Sequence, residues 1–229
     1  MRLALIGKDI SHSRSPELYK KLIGPAISYD LLDFDDASKI PSVEELATSY
    51  DAVNITSPYK THFLSAVKIH DPLVQSLGAI NTILLNAQEP TATNTDLLAI
   101  REILISFLKE FSSLNLIILG GGVMAKLCML LAEELSLSYH QFTRSSGFEV
   151  DLLDLSQPTK NQTIIINCCS RKFEFKGRLH STHIFWDMNY NFLPHQQRIP
   201  PQVKSYVDGQ QLLELQAAFA VKFWRSNLP

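Results

Sequence analysis

Leu114-Asn115-Leu116-Ile117-Ile118-Leu119-Gly120-Gly121-Gly122-Val123-Met124-Ala125 decides the fold of this 229-residue chain. A short, nearly wholly apolar run predicts a strand buried on both faces, as strands of parallel sheets are. It opens at once into three glycines, and a helix is expected from there to about Leu135. Gly120-x-Gly122-x-x-Ala125 follows the pattern G-x-G-x-x-G/A. Glycines let the backbone approach a pyrophosphate, and a helix N-terminus turns N–H groups and a positive dipole end towards it. The plain alternative is a tight turn packing helix on strand. The motif lies between an expected strand and an expected helix, which favours a nucleotide.

Downstream, Tyr139–Thr143, Thr163–Cys168, His183–Met188 and Lys204–Val207 read as further strands, and Asp208-Gly209 precedes a last helix from Gln210 to Trp224. The strand after the glycines ends at Thr143-Arg144-Ser145. A site for NAD usually has an acidic residue there, for the ribose hydroxyls. An arginine among hydroxyls suits a 2′-phosphate, which favours NADP; the alternative is a solvated surface arginine.

Upstream, Asp96–Phe111 carries Leu97, Ile100, Leu104, Phe107, Leu108 and Phe111 at helical spacing. This helix is read as the bridge between two domains. The first half alternates strand and helix. Strands are expected at Leu3–Ile6, Tyr29–Phe34, Asp51–Ile55, Gly78–Leu85 and Thr91–Asn94. Helices are expected from Pro16 to about Ile23, over Val43–Ser49, and from Pro58 to about Val67. Such alternation predicts an α/β fold with mainly parallel sheets.

Composition narrows the function. Hydrophobic residues make up 45%, and 21 basic against 23 acidic residues leave a net charge of -2. That balance gives no footprint for nucleic acid and no polybasic segment for a membrane. No apolar run approaches the ~20 residues that cross a bilayer, and the first residues are too short for a signal-peptide core. Cys128, Cys168 and Cys169 form neither a disulfide framework nor a zinc motif, so a cytoplasmic location is expected. His180 and His183 lack a third ligand nearby, and no metal is expected.

Three polar stretches remain. In Asn54-Ile55-Thr56-Ser57-Pro58-Tyr59-Lys60, polar side chains leave the end of a strand, and Lys60 is expected in the first turn of a helix. A lysine is disfavoured by that positive end, so Lys60 either faces an anion, exchanges a proton or is simply solvated. Asp96 in Thr93-Asn94-Thr95-Asp96 is either a helix cap or a functional carboxylate. Ser11-His12-Ser13-Arg14-Ser15-Pro16 offers hydroxyls before a helix, for capping or for binding a carboxylate or phosphate.

In this order, the segments resemble the shikimate dehydrogenase family. The resemblance rests on His12–Pro16, Asn54–Lys60, Gly78-Ala79-Ile80-Asn81-Thr82, Asn94-Thr95-Asp96, Gly120–Ala125, Asp187-Met188-Asn189-Tyr190, and Asp208-Gly209 with Leu212–Ala218. It implies NADP-dependent reduction of 3-dehydroshikimate to shikimate in aromatic amino-acid biosynthesis. It also implies a substrate domain, 1–95 with the C-terminal helix 210–229, and a Rossmann-type domain, 96–209, with the active site in the cleft between them. Lys60 and Asp96 would be the catalytic pair. Ser13 and Ser15, with Tyr190, would hold the substrate carboxylate. Thr56, Asn81 and Gln216, with the catalytic pair, would meet the ring hydroxyls. Gly120, Gly121, Gly122, Val123, Met124, Ala125, Thr143, Arg144 and Gly209 would hold NADP. The partners implied are small molecules, for a monomer or homodimer.

Some positions depart from the family pattern. Val123 replaces a fourth glycine, Ala99 another glycine, and Leu212 a methionine; no second basic residue follows Arg144, and a shorter closing helical segment is expected. These changes gather in the cofactor half. They keep two alternatives in view: a degenerate homologue that binds a shikimate-like ligand without efficient turnover, and a quinate/shikimate dehydrogenase using NAD.

Overall fold

The computed structural model describes residues 1–86 and 89–227. In chain order the elements are β1 (Arg2–Gly7), α1 (Ser15–Ile23), β2 (Ser28–Asp33), α2 (Val43–Ser49), β3 (Ala52–Ile55), β4 (Lys68–Ile69), α3 (Pro72–Leu77), β5 (Thr82–Leu84), β6 (Thr91–Thr93), α4 (Thr95–Glu110), β7 (Leu114–Leu119), α5 (Val123–Glu134), β8 (Ser138–Phe142), β9 (Asp154–Leu155), β10 (Gln162–Asn167), β11 (Arg178–Leu179), β12 (Ile184–Asp187), α6 (Leu193–Arg198), β13 (Ser205–Val207) and α7 (Gln210–Asn227). Leu228 and Pro229 of the expected C-terminal segment lie outside the described residues. The chain forms two compact units, Met1–Ala99 with Glu214–Pro229, and Ile100–Leu213.

The first unit is built on a six-stranded sheet in the order β2-β1-β3-β5-β6-β4. The apolar β1 lies inside it, parallel to both neighbours, with Leu3 beside Tyr29 and Ala52. β5 runs antiparallel to β3 and β6, which the local sequence did not signal. Tyr19 of α1 and Ala217, Ala220, Val221 and Trp224 of α7 pack with Leu3, Leu5 and Leu84 in one core. Trp224 is fully buried, and its indole Nε1 donates to Thr82 Oγ1 at 2.9 Å. Burying a side chain of this size contributes about 1.5–3 kcal/mol, and the hydrogen bond satisfies its polar edge.

The second unit has a five-stranded sheet in the order β13-β12-β10-β7-β8, with every pairing parallel. Both strands are largely buried: β7 is apolar but for Asn115, and β10 is apolar over Ile164–Ile166. The strand order reverses between β7 and β10. In open parallel sheets, ligands bind at such a point, outside the carboxyl ends of the strands. The connections 143–161 and 168–183 hold no α-helix; β9 and β11 pair with each other there. Val150, Phe175 and Leu179 from these connections cover the sheet instead, against Ile117, Ile165 and Phe185.

One expected helix is absent. Residues 57–66 form turns, with bonds such as His62 N to Tyr59 O and Ala66 N to Phe63 O. The Lys60 carbonyl, which a helix would assign four residues on, accepts from Ile80 N at 2.8 Å. Lys60 therefore sits at no helix N-terminus, and the electrostatic argument built on one does not apply. The run expected as a strand from Gly78 narrows to β5, because Gly78 closes α3.

Candidate functional site

In the first unit, Lys60 and Asp96 form a buried ion pair. The Lys60 Nζ donates to Asp96 Oδ2 at 2.7 Å, with side-chain exposures of 9% and 12%. Charges so far out of water persist only when paired and hydrogen-bonded. Asp96 lies in the first turn of α4, where the helix dipole favours its negative charge. The cap itself falls to others. Asn94 Oδ1 accepts from Leu97 N at 3.2 Å, and Asn81 Oδ1 accepts from Thr95 N at 2.7 Å. Asp96 is thereby left to Lys60.

Asn81, expected as a substrate contact, is tied to this helix start, since its Nδ2 also donates to Thr95 Oγ1 at 3.0 Å. Asn54 belongs to the same strand ends; the sequence placed it in the polar stretch Asn54–Lys60 without giving it a role. Tyr29 donates its phenol to Asn54 Oδ1 at 2.9 Å, and burial holds that phenol far above its usual range, so it stays a donor. Thr56 is half-buried, its N–H donating to Ile6 O. At the start of α1, Ser13 Oγ donates to Ser15 Oγ at 3.1 Å and accepts from Ser15 N at 3.3 Å. Arg14, the cap residue, makes no side-chain cap bond. Gln216 is half-buried on α7, beside Ala217 of the core.

In the second unit, Gly120, Gly121 and Gly122 join β7 to α5, and Val123, Met124 and Ala125 form the first turn of the helix. Gly120 has φ +116°, and a Cβ there would stand 3.2 Å from Cys169 Sγ and 3.4 Å from the Cys168 carbonyl carbon. Only glycine adopts this backbone without strain. No side chain caps α5 and no acidic residue occupies its first turn, so nothing there opposes an anion. Around a Cβ placed on Gly122 there is open space within 4 Å.

Thr143 is buried beside this turn, 3.4 Å from a Cβ placed on Gly121. Its Oγ1 shares hydrogen bonds with Ser145 Oγ at 2.8 Å and Ser146 Oγ at 2.7 Å. Arg144 between them is exposed. Burial pushes the Cys169 thiol up to about 11, and the nearby Arg144 cation opposes that rise. Gly209 meets the segment after β12: its N–H donates to Asn189 O at 3.2 Å, and a Cβ there would strike Met188 O. Tyr190, in that same segment, is half-buried under Arg171, which donates to Tyr190 O at 2.6 Å and lies 5.8 Å from its ring centre.

The sequence reading missed His195 altogether. It is fully buried and bonds Asp187 in the second unit. Nothing in Phe192-Leu193-Pro194-His195 announces this; only its distance from Asp187 in the fold reveals it. Among the described residues there is no cluster of three metal-ligating side chains and no helix long and apolar enough to cross a membrane.

Comparison with known proteins gives a consistent result. Residues 5–83 match the family model described as the shikimate dehydrogenase substrate binding domain. The chain is 27% identical to the shikimate dehydrogenase (NADP(+)) of Prochlorococcus marinus, over 99% of this chain and 92% of that protein. It is 25% identical to the one of Ignicoccus hospitalis, over 100% and 95%. The match to the Saccharolobus solfataricus enzyme, at 28%, spans 72% of this chain and 61% of that protein. Among solved structures, shikimate 5-dehydrogenase of Thermus thermophilus in complex with shikimate superposes with a TM-score of 0.75 at 20% identity, covering 100% of this chain and 94% of that one. The shikimate dehydrogenase of Thermotoga maritima gives 0.73 at 18% identity, over 98% and 94%. At these identities the structural likeness speaks for the fold.

Proposed function

We propose, from the premise that this chain belongs to the shikimate dehydrogenase family, that it reduces 3-dehydroshikimate to shikimate with NADPH. The observation that carries the reading is the Lys60–Asp96 pair, a buried 2.7 Å contact formed by two segments distant in sequence. A lysine ammonium stabilises the alkoxide that develops when a ketone is reduced, and donates the proton that completes the alcohol. Asp96 orients that ammonium and accepts a hydrogen bond from a ring hydroxyl. In the reverse direction Lys60 takes the proton back.

In this reading most of the substrate contacts come from the first unit. Ser13 and Ser15, with Tyr190, bind its carboxylate, and Thr56, Asn81 and Gln216 read its hydroxyls. NADPH, when bound, supplies the hydride. The chain's residues fit that cofactor: the open space beside Gly122 leaves room for a diphosphate at the start of α5. Val123, Met124 and Ala125 line the same turn, with Gly209 beyond it. Arg144, flanked by the linked hydroxyls of Thr143, Ser145 and Ser146, supports a 2′-phosphate and hence NADP over NAD. The domain assignment follows: 1–95 with 210–229 for substrate, 96–209 for cofactor. The three free thiols support a reducing cytoplasm. The protein would act on small molecules as a monomer or homodimer, apart from nucleic acid and membranes.

The test is oxidation of shikimate by NADP, read as the absorbance of the reduced nicotinamide, with quinate and NAD in parallel. Turnover that needs shikimate and NADP, and that collapses in Asp96→Asn, supports the proposal. Binding of shikimate without turnover on either cofactor would replace it with a degenerate binder, and preference for quinate with NAD would replace it with the second alternative.

A further inference from the structure

A buried polar network in the second unit reaches the glycine turn. Asp187, at the end of β12, is fully buried, and its carboxylate accepts five hydrogen bonds: from Asn167 Nδ2, Asn189 N, Asn189 Nδ2, His195 Nδ1 and Tyr206 OH. A buried carboxylate needs such saturation, and each donor fixes one more segment. The two asparagines end on the backbone of one residue. Asn167 Oδ1 accepts from Cys169 N at 3.1 Å, and Asn189 Nδ2 donates to Cys169 O at 3.1 Å. Cys169 is the residue whose Sγ stands 3.2 Å from a Cβ placed on Gly120.

The other carboxylate oxygen, Oδ2, accepts from both His195 and Tyr206. The His195 Nε2 accepts from the Phe175 N–H at 2.8 Å, so the ring hydrogen sits on Nδ1 and is donated to Asp187 Oδ2. His195 therefore ties α6 to the far end of the same segment, at Phe175. Arg171 adds bonds to Tyr190 O at 2.6 Å and Asn191 O at 3.2 Å. Residues 168–175 contain no helix to hold them. The network holds them instead, from both ends.

We propose that Asp187, Asn189 and His195 are positioning residues for the cofactor. They clamp the backbone on both sides of Cys169 against the Gly120 turn, so the diphosphate meets a preformed wall. This rests on the reading of that turn as the NADP site. A clamp that preorganises a site acts on affinity first, since ordering the loop on binding would otherwise oppose it.

The test compares the wild type with Asn189→Ala, His195→Leu and His195→Asn, the last keeping a donor for Asp187. NADPH affinity is measured by fluorescence titration, kcat at saturating NADPH and 3-dehydroshikimate, and alkylation of each thiol by N-ethylmaleimide, located by mass spectrometry. In Asn189→Ala and His195→Leu the Kd for NADPH should rise about tenfold, the scale of one lost hydrogen bond. His195→Asn should recover part of it. The kcat should stay within about twofold, because the reacting groups are untouched. Cys169 should alkylate faster, and Cys128, fully buried, should stay unreactive as the internal control for unfolding.

Unchanged NADPH affinity in folded Asn189→Ala overturns the proposal. So does alkylation of Cys128 together with Cys169, which marks general loosening. If His195→Leu does not fold, Asn189→Ala decides alone. If the wild type binds no NADPH, the reading of the turn fails, and Cys169 reactivity in Asn189→Ala still tests the clamp.

Discussion

Removing either partner of the Lys60–Asp96 pair should damage stability and turnover together, and removing both should separate them. The two side chains are 9% and 12% exposed and meet at 2.7 Å. Deleting the Lys60 ammonium leaves the Asp96 carboxylate buried without its cation, which costs about 3–5 kcal/mol. At roughly 2–4 °C per kcal/mol for a chain of this size, Lys60→Met should melt about 6–20 °C below the wild type. Asp96→Asn keeps an oxygen for the Lys60 ammonium and should fall at the mild end. The double variant leaves no orphaned charge, so it should be less destabilised than the sum of the singles by at least about 1 kcal/mol. Turnover should not recover with stability: loss of the proton donor should lower kcat by about 10²–10⁴ in Lys60→Met and in the double variant alike. Thermal melts and urea titrations supply the first quantity, and steady-state rates below the lowest melting temperature supply the second. Additive losses of stability would refute the buried-pair argument. Near-normal kcat in folded Lys60→Met would refute the role given to Lys60.

Two further predictions follow from the cores of the units. Trp224→Ala should cost about 3–5 kcal/mol, read by urea unfolding, because a fully buried indole and its bond to Thr82 are lost together; a change under about 1 kcal/mol would mean that α7 does not anchor this core. His183 is buried with neither ring nitrogen bonded, and its pKa is lowered by burial and then by the neighbouring His180. The folded state thus binds fewer protons than the unfolded chain, so stability should fall as pH drops below about 6.5, the ordinary histidine value. Melting temperature against pH should decline less steeply on that side in His183→Phe; equal slopes would contradict the assignment.

Much of this was legible because local chemistry and long-range structure agree. Leu114–Leu119 read as an interior strand, since a short apolar run ending in glycines suits a strand buried on both faces of a parallel sheet. The glycines after it had to turn, and the spacing of Leu97, Ile100 and Leu104 had to face a core. Where distant partners decide, the local signal failed. Residues 57–66 carry a plausible helical start, yet the Lys60 carbonyl is claimed by Ile80 and the helix never forms. The antiparallel setting of β5 depends on its neighbours β3 and β6, not on Thr82–Leu84 itself. Asp96 read alone was as much a cap as a functional group; only the fold shows that Asn81 and Asn94 make the capping bonds and that Asp96 pairs with Lys60. His195 carries no motif, and its meaning lies wholly in a partner eight residues away across a strand end.

The central claim is that Lys60 and Asp96 serve a reversible hydride transfer on a shikimate-type ring with NADP. It is tested most directly by incubating the purified protein with 3-dehydroshikimate and NADPH, following the loss of NADPH, and identifying the product by chromatography and mass spectrometry. The account predicts shikimate formed mole for mole with NADPH consumed, and no product from Lys60→Met on the same timescale. Unchanged 3-dehydroshikimate and NADPH beside a folded wild-type protein would contradict it.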